Sequence, residues 1–177
     1  MEPAGSYFFE REEKKMAEQA LSTIGVVFGW GLGTLKTPPT TWKEIEECIS
    51  IGGVSVTQDK LDATPLKSRR KKYVAGHEDT GGELATTFNA TDTFDAQWEE
   101  MLEAYESKEN GKVMWFCAYH PSRKTMNGYI VEPGSIPAPE YAVGNVLQYS
   151  ITNTLVDLPD PIPAVKPVEP TNTETTE

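Results

Sequence analysis

The residues best equipped for chemistry are His77, Glu78 and Asp79, a histidine beside two carboxylates. An imidazole titrates near neutral pH and can pass a proton to an adjacent acid. Catalysis would also need a nucleophile set against that pair, and nothing in the sequence orients one there. The cluster reads as a polar turn. The glycines of GWGLG, residues 29–33, stand too close together for a dinucleotide fingerprint. No helix follows them, and no lysine with Ser/Thr completes a phosphate loop. They read as a tight turn with exposed backbone. Cys48 and Cys117 sit in apolar, strand-like runs and read as small core residues. Two cysteines and two histidines so scattered lack the spacing of metal ligands. The expectation is a chain with no catalytic residue, no cofactor and no metal.

One charged run stands out. Arg69, Arg70, Lys71 and Lys72 form the only dense basic stretch in a chain of net charge -11, with 27 acidic residues against 16 basic ones. As a solvated face it requires no explanation. As a nucleic-acid patch it would want interleaved aromatics or a wider basic field, and only Tyr73 follows. An acidic chain is also badly placed to neutralise phosphates. As a loop docking on an acidic surface of another copy, the run makes sense of the charge segregation. Opposite patches on one chain give head-to-tail contacts, which build rings or filaments. Composition leaves the three readings open.

The elements that must position these residues follow from periodicity. The 177 residues suit one domain with some extra at the ends, and 38% hydrophobic content allows a modest core. The N-terminal MEPAGSYFFEREEKK is too acidic for a signal peptide, and the apolar run 24–33 is far shorter than the ~20 residues that span a bilayer. A soluble protein is expected. Residues 8–21 read as either a short helical arm or a disordered lead-in. WKEIEECISI, residues 42–51, fits a helix or a strand; its β-branched content and the Gly52-Gly53 stop favour a strand, with Ile45, Ile49 and Ile51 on one face. Residues 57–72 show no period and predict a long loop. Leu84, Thr86 and Phe88 alternate with Ala85, Thr87 and Asn89 as a strand. Phe94, Trp98, Met101, Leu102 and Tyr105 repeat as one helix over about 94–109, with Glu99, Glu100, Glu103 and Glu106 outside and Asn110-Gly111 as the stop. KVMWFCAYH, residues 112–120, is apolar on both faces and predicts a strand buried between two layers. Residues 128–131 form a shorter strand. In the last, Leu147, Tyr149, Ile151 and Leu155 oppose Gln148, Ser150, Thr152 and Thr154. From Asp157 onward the Pro/Thr-rich chain lacks the apolar content to bury anything. The predicted architecture is mainly β, a sandwich or barrel-like fold with one flanking helix. Its parts are an N-terminal arm over 1–22, a β domain over 23–157 and a disordered tail over 158–177.

The order of these features resembles the major tail tube proteins of long, non-contractile-tailed bacteriophages. The residues that carry the resemblance are Gly33-Thr34, the segment from Trp42 through Ile45 to Ser50-Ile51, and a long loop with Asp62-Ala63-Thr64. That loop leads through basic residues to Tyr73-Val74-Ala75-Gly76 and Asp79-x-Gly81-x-Glu83-Leu84. A helix opening Thr93-Phe94-Asp95, a strand, a glycine-bearing hairpin and a final alternating strand complete it. The likeness covers roughly residues 24–157. It implies hexameric rings that stack head-to-tail into a tube in the virion tail, assembled in the host cytoplasm, with an acidic lumen through which genomic DNA passes without specific binding. Partners would be further copies and other tail proteins at the tip and terminator, with no membrane. It also implies that the loop bearing Thr57, Asp59, Lys60, Asp62, Lys67, Arg69, Arg70, Lys71 and Lys72 reaches the neighbouring ring. Strand alternation nominates Glu44, Glu46, Ser50, Thr87, Asn89, Gln148, Ser150 and Thr152 as lumen-facing. The alternatives are a tail terminator or head–tail connector ring subunit, or a monomeric β-barrel module that binds nucleic acid or protein.

Overall fold

A computed structural model describes residues 21–170. The chain runs through strands β1 (Val27–Gly33), β2 (Lys43–Ile45), β3 (Cys48–Ile51), β4 (Thr57–Asp62), β5 (Tyr73–Asp79) and β6 (Glu83–Asn89). Helix α1 (Asp92–Glu106) follows, then β7 (Val113–Tyr119), β8 (Thr125–Glu132), β9 (Gln148–Asp157) and the short β10 (Ile162–Pro163). The main sheet has the order β2-β1-β7-β8-β9-β6-β3, with β10 beside β8, while β4 and β5 pair only with each other. The fold is mainly β and sandwich-like, as the sequence predicts. It is not a closed barrel, because β2 and β3 remain its two edges.

Those edges are consecutive in the chain, joined by Glu46 and Glu47 alone. WKEIEECISI is therefore two strands broken at a corner, not one. Glu47 turns the corner at φ 64, and its carbonyl and carboxylate both accept hydrogen bonds from Asn89 (3.0 and 2.8 Å). The corner resets the alternation: Ile45 is buried, whereas Ile49 is 48% exposed and does not share its face. From the helix side, Gln97 accepts from the Glu46 N–H (2.8 Å) and donates to the Glu46 carboxylate (3.1 Å).

The helix begins two residues earlier and ends three residues earlier than its periodicity predicts. Thr91 caps it, accepting from the Phe94 N–H at 3.2 Å, and Asp92 and Asp95 complement the dipole in the first turn. Phe94, Trp98 and Met101 drive into the core beside Phe28, Phe88, Phe116, Leu84 and Ile151, and the acidic face stays in water. Strand β7 is buried on both faces, as predicted: Met114 and Phe116 enter this core, while Trp115 and Cys117 join Trp42, Met126 and Ile130 in a second cluster on the outer face.

Two expectations fail here. GWGLG is not a turn but the body of β1. Phe28 and Trp30 point inward, and Gly29 and Gly31 lie outward beneath Pro167 and Pro39. A Cβ at either glycine would lie 2.8 Å from a proline carbon, so these positions require glycine for close approach. Nor is the segment after Asp157 an unattached tail. Ile162 pairs with Met126, Pro167 is buried, and Val168 exchanges backbone hydrogen bonds with β2. Prolines pack well without needing donors, so a polar, proline-rich composition did not prevent docking. The N-terminal arm expected over 1–22, apart from Leu21 and Ser22, lies outside the described residues, as do 171–177.

Candidate assembly surfaces

The predicted loop 57–72 is largely a hairpin arm. Strands β4 and β5 continue the β3–β6 ribbon beyond the body, through residues 52–56 on one side and 80–82 on the other. At that root Gly81 and Gly82 adopt φ 79 and 68, a conformation that other residues rarely take. All six residues of β4 are exposed. No face of the arm is buried, so the sequence carries no burial period to read. The arm instead shows Leu61 opposite Val74, each 56% exposed, with Tyr73 beside them and Leu66 fully exposed at the tip.

Thr57, Asp59, Lys60 and Asp62 lie on β4, with a register shift between Gln58 and Lys60, and Lys67, Arg69, Arg70, Lys71 and Lys72 gather at the tip. The tip is a structured turn: the Lys72 N–H donates to the Thr64 hydroxyl (2.9 Å) and the Ser68 N–H to the Pro65 carbonyl (2.8 Å). Among the described residues none of the five tip cations has a carboxylate partner. His77, Glu78 and Asp79 are part of β5 and not a turn. Adjacent strand residues face opposite sides, so His77 points away from Glu78, whose carboxylate accepts from Gln58 at 2.8 Å. Asp79 accepts from the Gly81 N–H (2.8 Å) at the root. Cys117 is buried, as its core reading predicts, and Cys48 is half-buried against the core; burial pushes both thiols up to about 12.

Six of the eight nominated polar residues come together on the outer face of β3, β6 and β9. Ser50 pairs with Thr87 and Thr87 with Ser150, one row across three strands; Asn89 stands opposite Gln148, and Thr152 opposite Ala85. All six are uncharged. Residues 133–147 stand over this face and leave an open groove of about 720 Å³, walled by Thr87, Gln148 and Ser150 on one side and Pro137, Glu140 and Val146 on the other. Gly134 anchors that segment. Its N–H donates to the Asn153 side chain (3.0 Å), and its carbonyl accepts from the Trp98 indole (3.1 Å). Asn153 is fully buried and also donates to the Leu84 carbonyl and the Thr86 hydroxyl, each at 3.2 Å. Sequence reasoning passed over Asn153, although it occupies the inward register between Ile151 and Leu155.

Glu44 and Glu46 do not join this face. Glu46 sits at the corner under Gln97. Glu44 lies on β2 at the other edge, where partial burial, then the carboxylates of Glu169 and Glu46, raise its pKa above the ordinary value, opposed by the Lys166 ammonium. No described helix is long and apolar enough to cross a membrane, and no group of three metal-ligating side chains occurs among the described residues.

No family model matches the chain, and no curated protein matches it. Solved structures do. One is a chain in "Tail of empty GTA particle computed with helical refinement, C6 symmetry", 12% identical, with a TM-score of 0.50 over 78% of this chain and 96% of that one. Another is a chain in "Cryo-EM structure of the anti-feeding prophage (AFP) baseplate, 6-fold symmetrised", 14% identical, with a TM-score of 0.48 over 80% and 94%. The second is too distant to add weight. The first is similar in fold alone, and at that level the chain shares the β architecture of a subunit from a six-fold tail.

Proposed function

We propose that this protein is a structural subunit of a phage-type tail, and within it a tube subunit that assembles into hexameric rings stacked head-to-tail around a DNA conduit. The observation that carries this reading is the arm, β4 to β5, which among the described residues pairs with nothing but itself. An isolated two-stranded hairpin is marginal in water. One that exposes Leu61, Leu66, Tyr73 and Val74 beside five cations unpaired among the described residues has the composition of a contact surface awaiting its partner. The chain supplies an acidic counterpart on the outer face of α1, so a copy can serve as that partner. The uncharged row of Ser50, Thr87 and Ser150, with Asn89, Gln148 and Thr152, is assigned to the lumen, where it offers DNA no cation to bind. The fold likeness to a chain in a tail of C6 symmetry supports six-fold rings.

Negative-stain electron microscopy of the purified chain at low and high concentration, paired with sedimentation, tests the reading. Hollow tubes with a regular axial repeat are expected. Single rings that never stack would favour a terminator or connector. A monomer that binds DNA in a salt-sensitive way, and loses that binding when Arg69, Arg70, Lys71 and Lys72 are neutralised, would replace the reading with a binding module.

A further inference from the structure

The two edges of the main sheet are treated differently. On the β3 edge, Cys48 to Ile51 pair with β6 on one side and, among the described residues, have no strand on the other. On the β2 edge, residues 158–170 return from β9 and lie along the sheet. The Val168 N–H donates to the Trp42 carbonyl (2.8 Å), and the Val168 carbonyl accepts from the Glu44 N–H (2.9 Å), a parallel bridge that occupies the outward N–H of β2 and the carbonyl just before it. Upstream, the Ala164 N–H donates to the Lys124 carbonyl (3.0 Å) and Ile162 covers the cluster of Trp42, Trp115 and Ile130. Between these anchors Pro167 rests on Gly29.

The composition of the strap matters as much as its position. Prolines stand at 159, 161, 163, 167 and 170. A proline has no N–H to offer, so the strap satisfies β2 on its inner side and presents a poor template for another strand on its outer side. Unpaired edge strands invite pairing with other chains, and covering them is how soluble sheets avoid it.

We propose that residues 158–170 are an intramolecular guard that withholds the β2 edge from a second copy of this chain. The subunit then has one closed edge and, among the described residues, one open edge, so strand-to-strand pairing between copies is confined to the β3 side. This inference does not depend on the tube reading, since it concerns a contact the subunit avoids.

Val168→Pro tests it, because it removes the donor to Trp42 while the Val168 side chain is 63% exposed and packs little. A spin label is placed through Lys43→Cys on β2, in a chain whose half-buried Cys48 is replaced by alanine; Cys117 is buried. In Val168→Pro the Glu44 amide is expected to exchange at least about tenfold faster, and labels on two copies to approach within about 20 Å, since an uncovered edge pairs with its like. The signal is the difference from the Val168 chain, so ring formation common to both cancels. A chain ending at Asp157 should show the same pairing more strongly; if it fails to fold by circular dichroism, Val168→Pro alone decides. Unchanged Glu44 exchange, or faster exchange with no approach of labels, overturns the proposal.

Discussion

The rings of Phe28 and Phe88 meet edge-on, 5.3 Å apart at 74°, although three strands separate β1 from β6 in the sheet. In a flat sheet four strand spacings would put them about 19 Å apart. Their contact requires the sheet to double back on itself, so that its two halves face each other across one core. Phe88→Ala is expected to cost about 3–5 kcal/mol, the usual range for emptying a buried aromatic site. A double-mutant cycle with Phe28→Ala should return a coupling of about 0.5–1.5 kcal/mol, as for other aromatic pairs. Chemical denaturation measures both. A coupling near zero would mean that the halves of the sheet do not close on each other in solution.

Neutralising the arm tip separates assembly from folding. Arg69, Arg70, Lys71 and Lys72 are exposed and, among described residues, unpaired, so replacing all four with glutamine should change unfolding stability by no more than about 0.5 kcal/mol per site. On the tube reading proposed above, stacking should fall sharply, and in the unaltered chain it should weaken as salt rises, because the contact assigned to the tip is electrostatic. Sedimentation across a salt series reads both effects.

Glu44 gives a pH signature. Burial, then Glu169 and Glu46, raise its folded pKa, so the folded chain holds that proton more tightly than the unfolded chain. The stability this confers is complete below the ordinary value of 4.5 and is lost as pH rises through the raised value. Glu44→Gln is therefore expected to raise the melting temperature at about pH 7 and to leave it unchanged at about pH 3.5. Melting curves at the two values check the sign.

Asn153→Leu should be among the most damaging single changes in the body. It strands the Gly134 N–H, a buried unsatisfied group costing about 1–3 kcal/mol, and removes the side-chain donor to the Leu84 carbonyl and the Thr86 hydroxyl. Loosening of residues 133–147 should accompany the loss, seen as faster amide exchange at Gly134. A variant with full stability and a protected Gly134 would show that the asparagine is not the anchor.

Sequence periodicity located the elements wherever one face is dry and the other wet. Strands β6 and β9 alternate cleanly because Leu84, Phe88, Ile151 and Leu155 point into the core while Thr87, Ser150 and Thr152 point out, and α1 repeats as its buried stripe demands. Periodicity was silent or misleading where that condition fails. The arm has no dry face, so Thr57–Asp62 read as loop. The corner at Glu47 interrupts WKEIEECISI without any glycine or proline to mark it. In β1 the outward layer is proline, not water, and the glycines that admit it imitate a turn. Asn153 escaped because a polar residue on a core face reads as an error until its three partners are known. The six stripe residues were legible; the separation of Glu44 and Glu46 from them was not, since it depends on which edge each strand takes.

Beyond Val54, which packs against the main core at the root, the arm contributes no described side chain to either apolar cluster, and it joins the body at Gly52-Gly53 and Gly81-Gly82. Substitutions in it are therefore invisible to the forces that keep the domain folded, and substitutions in the core are invisible to whatever the arm touches. Contact specificity and domain integrity can drift at separate rates in such a chain. The same separation makes residues 57–79 a cassette: exchanged for a hairpin of different charge, they should redirect which surface the subunit recognises while the host scaffold melts where it did before.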